Sequence, residues 1–284
     1  MVIRYANLYM SNFDNILNMF TYFNLKLGFY MLLFINVALM YGVYVLFFNN
    51  RSLAQLLNSV KTTDVAKPLD GIFEIHITID PENNFVKLLQ FVNKTSKTTN
   101  LKIIYAVSVV KNNQLMIGHF TRKNNEKEAI QAAKHLESEM IAFGIKVVRV
   151  KVESHNTGSI PLTKQDYFNF KKYLETKYEN YCGSPYFEFH VKVGNNTIND
   201  NYMQTLENDT KHFKNVAISY NICSSNCKPL LTVRVRDEGY QMAQNYKDDI
   251  LNKLKLKGYV FEDKIQTEFS VYDTNENLDN GWLN

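Results

Sequence analysis

The chain has 284 residues, 45% of them apolar, enough for one large domain or two small ones, which excludes a peptide hormone or a disulfide knot. With 32 Lys and Arg against 28 Asp and Glu, the formal charge is +4, so no global field selects nucleic acid or an acidic partner and only a local patch would hold anions. Three cysteines, Cys182, Cys223 and Cys227, cannot all pair, and the Cys223/Cys227 spacing has no second ligand pair beside it, so free thiols are expected and neither a metal nor a cofactor.

Residues 1–26 form an N-terminal flank. Residues 27–48, LGFYMLLFINVALMYGVYVLFF, run without a charge between Lys26 and Arg51. At about 1.5 Å per residue a helix of that length covers a bilayer core of about 30 Å. The pattern predicts a single-pass transmembrane helix, with the lipid bilayer as a partner and a host or virion membrane as the location. Arg4 and Lys26 balance Arg51 and Lys61, so the positive-inside rule gives no orientation.

After a juxtamembrane segment, 49–70, the chain repeats itself. FEIHITI at 73–79 matches FEFHVKV at 187–193. Each is followed by a helical stretch (84–95; 200–213), two strand patterns (102–110 and 114–122; 216–223 and 229–237), a longer amphipathic helix (126–143; 239–256) and a final strand (146–154; 264–273). Gly144 and Gly258 stand just past the long helices, where a C′ glycine belongs. The order βαββαβ, twice, predicts an α+β fold of two tandem ferredoxin-like lobes, 71–154 and 186–275. They are joined by a linker, 155–185, with one helix from Lys164 capped by Thr163, and followed by a tail, 276–284, whose Trp282 is expected to pack on the core.

Strand alternation sends Phe73, Ile75, Ile77 and Ile79 toward the helices and Glu74, His76 and Thr78 to the opposite, open face. The second copy puts Glu188, His190 and Lys192 there. Aligning LMIGHFTR with LLTVRVRD adds His119 opposite Arg234, and Thr121 opposite Arg236. The fourth strands add Arg149, Lys151 and Glu153, and Glu268, Ser270 and Tyr272. Histidine at the same place in both copies, beside cations, suits phosphate: one imidazole can act as base and the other as acid. The candidate catalytic pair is His76 and His190. The candidate ligand-binding residues are Thr78, Lys192, Arg234, Arg236, His119, Arg149 and Lys151. The expected function is to bind a phosphate-containing small molecule or a protein partner. The alternative is an anchored phosphoesterase or cyclic phosphodiesterase. The central strands offer no outward aromatics for bases to stack on, which counts against nucleic acid. His155 lies in a loop and receives no role.

Ile75-His76-Ile77-Thr78-Ile79, in a duplicated scaffold, resembles the two-histidine phosphoesterase superfamily. The resemblance implies that His76 and His190 serve as acid and base and that Thr78 holds phosphate, with Lys192 standing where that family has Ser or Thr. Glu188-x-His190-x-Lys192 followed by Arg234-x-Arg236 also looks like the Glu-x-Glu-x-Lys and Arg-x-Arg strands of triphosphate tunnel enzymes, with His190 in place of an acidic metal ligand. The helices that interrupt the second half argue against a tunnel of eight strands. The segments FEIHITI, VVRVKVES, YFEFHVKV and EFSVYDTNENLDNGWL further resemble an uncharacterised family of bacteria and large DNA viruses, which implies no activity.

Overall fold

A computed structural model describes residues 67–284, apart from 83, 96–98, 109–112, 180, 195–199, 225–226, 281 and 284. The first repeat comprises β1 (Gly71–Ile79), α1 (Phe85–Thr95), β2 (Leu101–Ser108), β3 (Gln114–Lys123), α2 (Glu126–Ala142) and β4 (Val147–Ser154). The linker holds α3 (Lys164–Lys177). The second repeat comprises β5 (Tyr186–Val193), α4 (Asp200–Thr210), β6 (Val216–Asn221), β7 (Leu230–Arg236), α5 (Tyr240–Leu256) and β8 (Phe261–Asp273). A 3-10 turn at Glu276–Asp279 follows.

The eight strands form one closed, antiparallel barrel in the order β1-β3-β2-β6-β7-β5-β8-β4. Two separate ferredoxin-like lobes are therefore not what the chain makes. Within each repeat the strands lie as β4-β1-β3-β2 and β8-β5-β7-β6, but the outer strands do not end as free edges. β2 pairs with β6 (Ala106↔Asn221, Ser108↔Ser219), and β4 pairs with β8 (Lys151↔Asp273, Ser154↔Phe269). Closure satisfies the unpaired N–H and C=O groups that two open four-stranded sheets would leave along four edges. The objection to an eight-stranded tunnel falls with it: the helices are crossovers outside the wall and do not interrupt the strands.

No helix among the described residues is long and apolar enough to cross a membrane. The expectation of a single-pass membrane protein is corrected on that finding. Residues 27–48, on which it rested, lie outside the described residues.

The apolar core is a sleeve between the barrel and its helices. Phe73, Ile75, Ile77 and Ile79 of β1, and Phe187, Phe189, Val191 and Val193 of β5, are buried on the outer side of the wall. Helix α2 packs on β1, β3 and β4, and α5 on β5 and β7. Each of these strands thereby turns its alternate residues into the lumen. Burying one such side chain contributes about 1.5–3 kcal/mol.

The linker ties the two repeats together. Thr163 caps α3, and its side chain and that of Asp166 bond reciprocally to each other's backbone N–H in a capping box. From α3 and the residue after it, Tyr173 and Tyr178 donate their hydroxyls to the buried Glu126 carboxylate of α2 at 2.9 and 2.5 Å, and Leu69 donates its N–H to the same group at 2.8 Å. At the other end, the N–H of Tyr240 donates to Pro161 O. Gly239, the N-cap of α5, is pressed so closely on this chain that a Cβ there would stand 2.2 Å from the Thr163 carbonyl carbon.

Candidate functional site in the barrel lumen

The inward faces of the strands enclose a cavity of about 370 Å³. Glu74, His76 and Thr78 reach it from β1, Glu188, His190 and Lys192 from β5, and Arg149 and Lys151 from β4. Thr232 and Arg234 line it from β7, Gln266 and Glu268 from β8, and Gln114 and Met116 from β3. Gly118, in mid-strand on β3, faces the same way, and a Cβ there would lie 3.3 Å from Glu74 Oε1 and 3.7 Å from His76 Cε1. A glycine inside a strand here marks a close approach of side chains from the neighbouring wall.

Among the described residues, six carboxylates, Glu74, Glu153, Glu188, Glu268, Asp273 and Asp279, are buried in or against the lumen with three buried permanent cations, Arg149, Lys151 and Arg234. Arg149 binds Asp273 with Nε at 2.8 Å and Nη2 at 2.5 Å, and Asp279 with Nη1 at 2.9 Å. Lys151 bridges Glu153 and Glu188 at 2.8 Å each. Arg234 pairs with Glu188 at 2.6 Å and with Asp279, and its guanidinium lies 4.3 Å from the centre of the Tyr186 ring. Tyr186 donates its hydroxyl to Asp273 at 2.7 Å. Burial would raise Asp279, but Arg149 and Arg234 hold it down at about 2. Such a layer is stable only while each charge keeps its partners, because an unpaired charge in a dry interior is costly.

Three histidines lie among these carboxylates. His190 Nε2 donates to Glu268 at 3.0 Å, and its Nδ1 lies 2.9 Å from the Thr232 hydroxyl. His155 Nε2 lies 3.0 Å from Glu74 and 3.6 Å from Glu268. His76 Nε2 stands 3.3 Å from both Glu74 and Glu153, and its buried Nδ1 has no hydrogen-bond partner among the described residues. Burial lowers the pKa of His76, so it is neutral at pH 7. Burial also works against the charged form of His190, but Glu268 and Glu188 outweigh it and raise that pKa. Glu153 is pushed well above the ordinary carboxylate range by burial and by neighbouring Glu268.

From this buried layer the cavity leads to the surface. Along β5 the series Glu188, His190, Lys192 runs from a buried carboxylate to a lysine whose side chain is 52% exposed. Antiparallel β8 returns through Lys264, Gln266 and Glu268. Lys102, Lys192 and Lys264 are exposed along this side, with Lys228 paired to Glu262 at 2.7 Å. The opposite part of the lining comes from the C-terminal segment, through Asp279, Trp282 and Leu283.

Of the residues expected on an open face, the barrel brings His76, Thr78, His190, Lys192, Arg149, Lys151 and Arg234 into one cavity. His119 is not among the lining residues, and its Nδ1 sits 3.2 Å from Asn100 O. The expected alignment of β3 with β7 is one residue out: Glu74 pairs with Phe120 as Glu188 pairs with Arg234, so Phe120 and not His119 is the counterpart of Arg234, and a slip of one flips a side chain to the other face. Arg236 likewise does not line the cavity; it pairs with Glu276 and lies 4.7 Å from the Tyr186 ring centre. Tyr272 is turned outward under Lys134, because the β4–β8 register shifts at Val152/Glu153. That bulge places Asp273 beside Arg149. Sequence reasoning missed Asp273, Asp279, Gln114 and His155, which lie at strand ends or in loops where alternation carries no information.

Two sets of donors in the lumen could each hold a metal ion: Glu74, His76 and Glu268, and Glu188, His190 and Glu268, with the ligand atoms of each set within 4.8 Å of one another. They share Glu268. In the second set Glu188 is already neutralised by Lys151 and Arg234, and Glu268 by His190. The first set has a neutral imidazole and lies beside Glu153, whose Oε1 is paired with Lys151 at 2.8 Å and whose Oε2 lies 3.3 Å from His76. Mixed carboxylate and imidazole donors suit a divalent cation such as Mn²⁺. No family model matches the chain, and no curated protein is similar to it.

Proposed function

We propose that the lumen binds a phosphate-bearing ligand together with a divalent cation and hydrolyses a phosphoanhydride bond. The observation that supports this most directly is the pairing, inside one closed barrel, of guanidinium and ammonium groups with a cluster of carboxylates and histidines that has more negative charge than its own cations offset. Exposed Lys102, Lys192 and Lys264 would draw a polyanion inward. Lys151 and Arg234 would hold its phosphoryl oxygens, Arg234 in the two-pronged geometry that fits them. Glu74, His76 and Glu268 would hold the cation, which would supply Lewis-acid stabilisation of the charge developing on the phosphoryl group. A neutral His76 fits that role, since a metal ligand must be deprotonated.

The closed eight-stranded barrel with Glu188-x-His190-x-Lys192 on one inward strand and Arg234 on the next resembles the triphosphate tunnel enzymes, with His190 in place of an acidic ligand and Arg236 outside the cavity. That likeness favours a triphosphate as the phosphoanhydride. The test is phosphate release from inorganic tripolyphosphate by the full chain with Mn²⁺ or Mg²⁺, alongside His76→Ala and Glu268→Gln. Metal-dependent turnover that falls by roughly a hundredfold in both variants would support the proposal. A folded chain that releases no phosphate with either metal would refute it.

A second reading has its own support. His76 and His190 line the same cavity, and their surroundings push their pKa values apart, one down and one up. A neutral base and a charged acid are what metal-free phosphodiester cleavage requires. Turnover of 2′,3′-cyclic nucleotides that survives a chelator and is lost in both His76→Ala and His190→Ala would favour this reading over the first.

A further inference from the structure

The C-terminal turn reaches into the lumen and places a carboxylate where the cations are most concentrated. Asp279 Oδ1 accepts from Gln114 Nε2 at 2.9 Å and from Arg149 Nη1 at 2.9 Å, and Oδ2 meets Arg234 Nη2. These three groups come from β3, β4 and β7, so they converge only because the barrel closes. All three are buried, Gln114 at 6%, Arg149 at 4% and Arg234 at 3% exposure. Two guanidiniums and an amide N–H around one anion form a seat that a phosphoryl group would also fill, with more oxygens to use it.

The segment that carries Asp279 leaves β8 at Thr274, whose N–H donates to Val150 O at 3.0 Å and whose hydroxyl accepts the Val150 N–H at 2.9 Å. It is a single 3-10 turn, residues Glu276–Asp279, beyond the last strand. Glu276 accepts the Ser184 N–H at 2.7 Å and pairs with half-buried Arg236, and Asn275 donates to Val148 O at 3.2 Å. Trp282 and Leu283 add apolar surface to the cavity lining. The turn lies outside the strand ladder and sets its carboxylate in the seat. Its attachments are of the kind that open locally at low cost.

We propose that Arg149, Arg234 and Gln114 form an anion seat for a terminal phosphoryl group of the ligand, and that the C-terminal turn is a displaceable stopper whose Asp279 occupies the seat until the ligand takes it. The inference rests on the reading of the lumen as a phosphate site. Exchange of one anion for another keeps both arginines paired throughout, so the buried guanidiniums are never left bare. It also sets a threshold, because the ligand must outcompete an internal carboxylate, and its apparent affinity is reduced by the fraction of molecules in which the seat is filled.

Trp282 is the only tryptophan of the 284 residues, so the stopper carries its own probe. Inorganic tripolyphosphate is titrated into the full chain, with binding followed by calorimetry and Trp282 by its emission. Two variants are compared. Asp279→Asn removes the competing charge, and Glu276→Gln loosens the turn without touching the seat. The expected result is a red shift of Trp282 emission that saturates together with binding, and affinities tightened roughly 5- to 10-fold in both variants. If Asp279→Asn folds poorly, Glu276→Gln alone decides the matter. Binding with Trp282 unmoved and no tightening in the folded variants would overturn the stopper and leave the phosphate site standing. Absence of binding by wild type and both variants would overturn both.

Discussion

Glu268 belongs to both donor sets of the lumen, so replacing it by Gln removes one charged ligand from each while keeping the volume of the side chain. A divalent cation at a hundred times its dissociation constant stabilises the folded state by about 2.7 kcal/mol. For a domain of this size, each kcal/mol moves the unfolding midpoint by about 2–4 °C, so Mn²⁺ should raise the midpoint of the wild-type chain by about 5–11 °C. In Glu268→Gln that rise should vanish. Without metal the same substitution deprives His190 of the anion 3.0 Å away. Removing one partner of a buried pair costs about 3–5 kcal/mol, but a histidine can shed its proton, which limits the loss. The raised pKa of His190 means that its pair contributes fully below its unfolded pKa of about 6.5 and is lost as pH rises through the folded value. The variant should therefore be most destabilised near pH 5–6 and close on wild type toward pH 9. Thermal unfolding followed by circular dichroism, across metal concentration and pH, reads both effects. If Mn²⁺ stabilises the variant as much as wild type, or leaves wild type unmoved at millimolar concentration, the assignment of Glu268 to a metal site is wrong.

Further substitutions probe other parts of the argument. Glu153 is raised well above its unfolded pKa, so its contribution is complete below about pH 4.3 and is lost as pH climbs through the folded value; Glu153→Gln, neutral at every pH, should gain stability relative to wild type between pH 5 and 9, and a flat difference in unfolding midpoint would contradict that. Phe187 is fully buried with its ring 4.5 Å from that of Phe269, so Phe187→Ala should cost about 3–5 kcal/mol in denaturant unfolding, whereas a loss below 1 kcal/mol would mean that the sleeve collapses around the gap. Gly239→Ala sets a methyl against the Thr163 backbone and should lower stability by more than about 2 kcal/mol, with a neutral result showing that the α5 N-cap can slide off the linker.

The local elements were largely legible. FEIHITI and FEFHVKV alternate cleanly, and the residues they send away from the helices, His76 and His190 among them, do line one cavity. Closure was not legible. What joins β2 to β6 is backbone pairing between strands 110 or more residues apart, and an edge strand carries no residue type that names its partner. Alternation also fails where the pleat does. It put Tyr272 inside and overlooked Asp273, because a bulge in the β4–β8 ladder reverses the parity of the last turn of strand. His119 illustrates a different limit, since LMIGHFTR and LLTVRVRD align equally well in two registers and only pairing to β1 chooses between them. Asp279 lies in a turn, where nothing periodic points.

Each seam of the barrel joins equivalent strands of the two repeats, β2 to β6 and β4 to β8, and both run antiparallel. That is an isologous contact, the kind by which two identical subunits pair about a two-fold axis. Two copies of a single βαββαβ unit could satisfy the same hydrogen bonds, and such a dimer would carry two identical half-sites and take a ligand in either direction. Joining the units in one chain releases the halves from that equality. Lys192 can then stand where the other half has Thr78, and Arg234 where the other half has Phe120, so that the lumen has a distinguishable front and back and a ligand entering it has one way to lie.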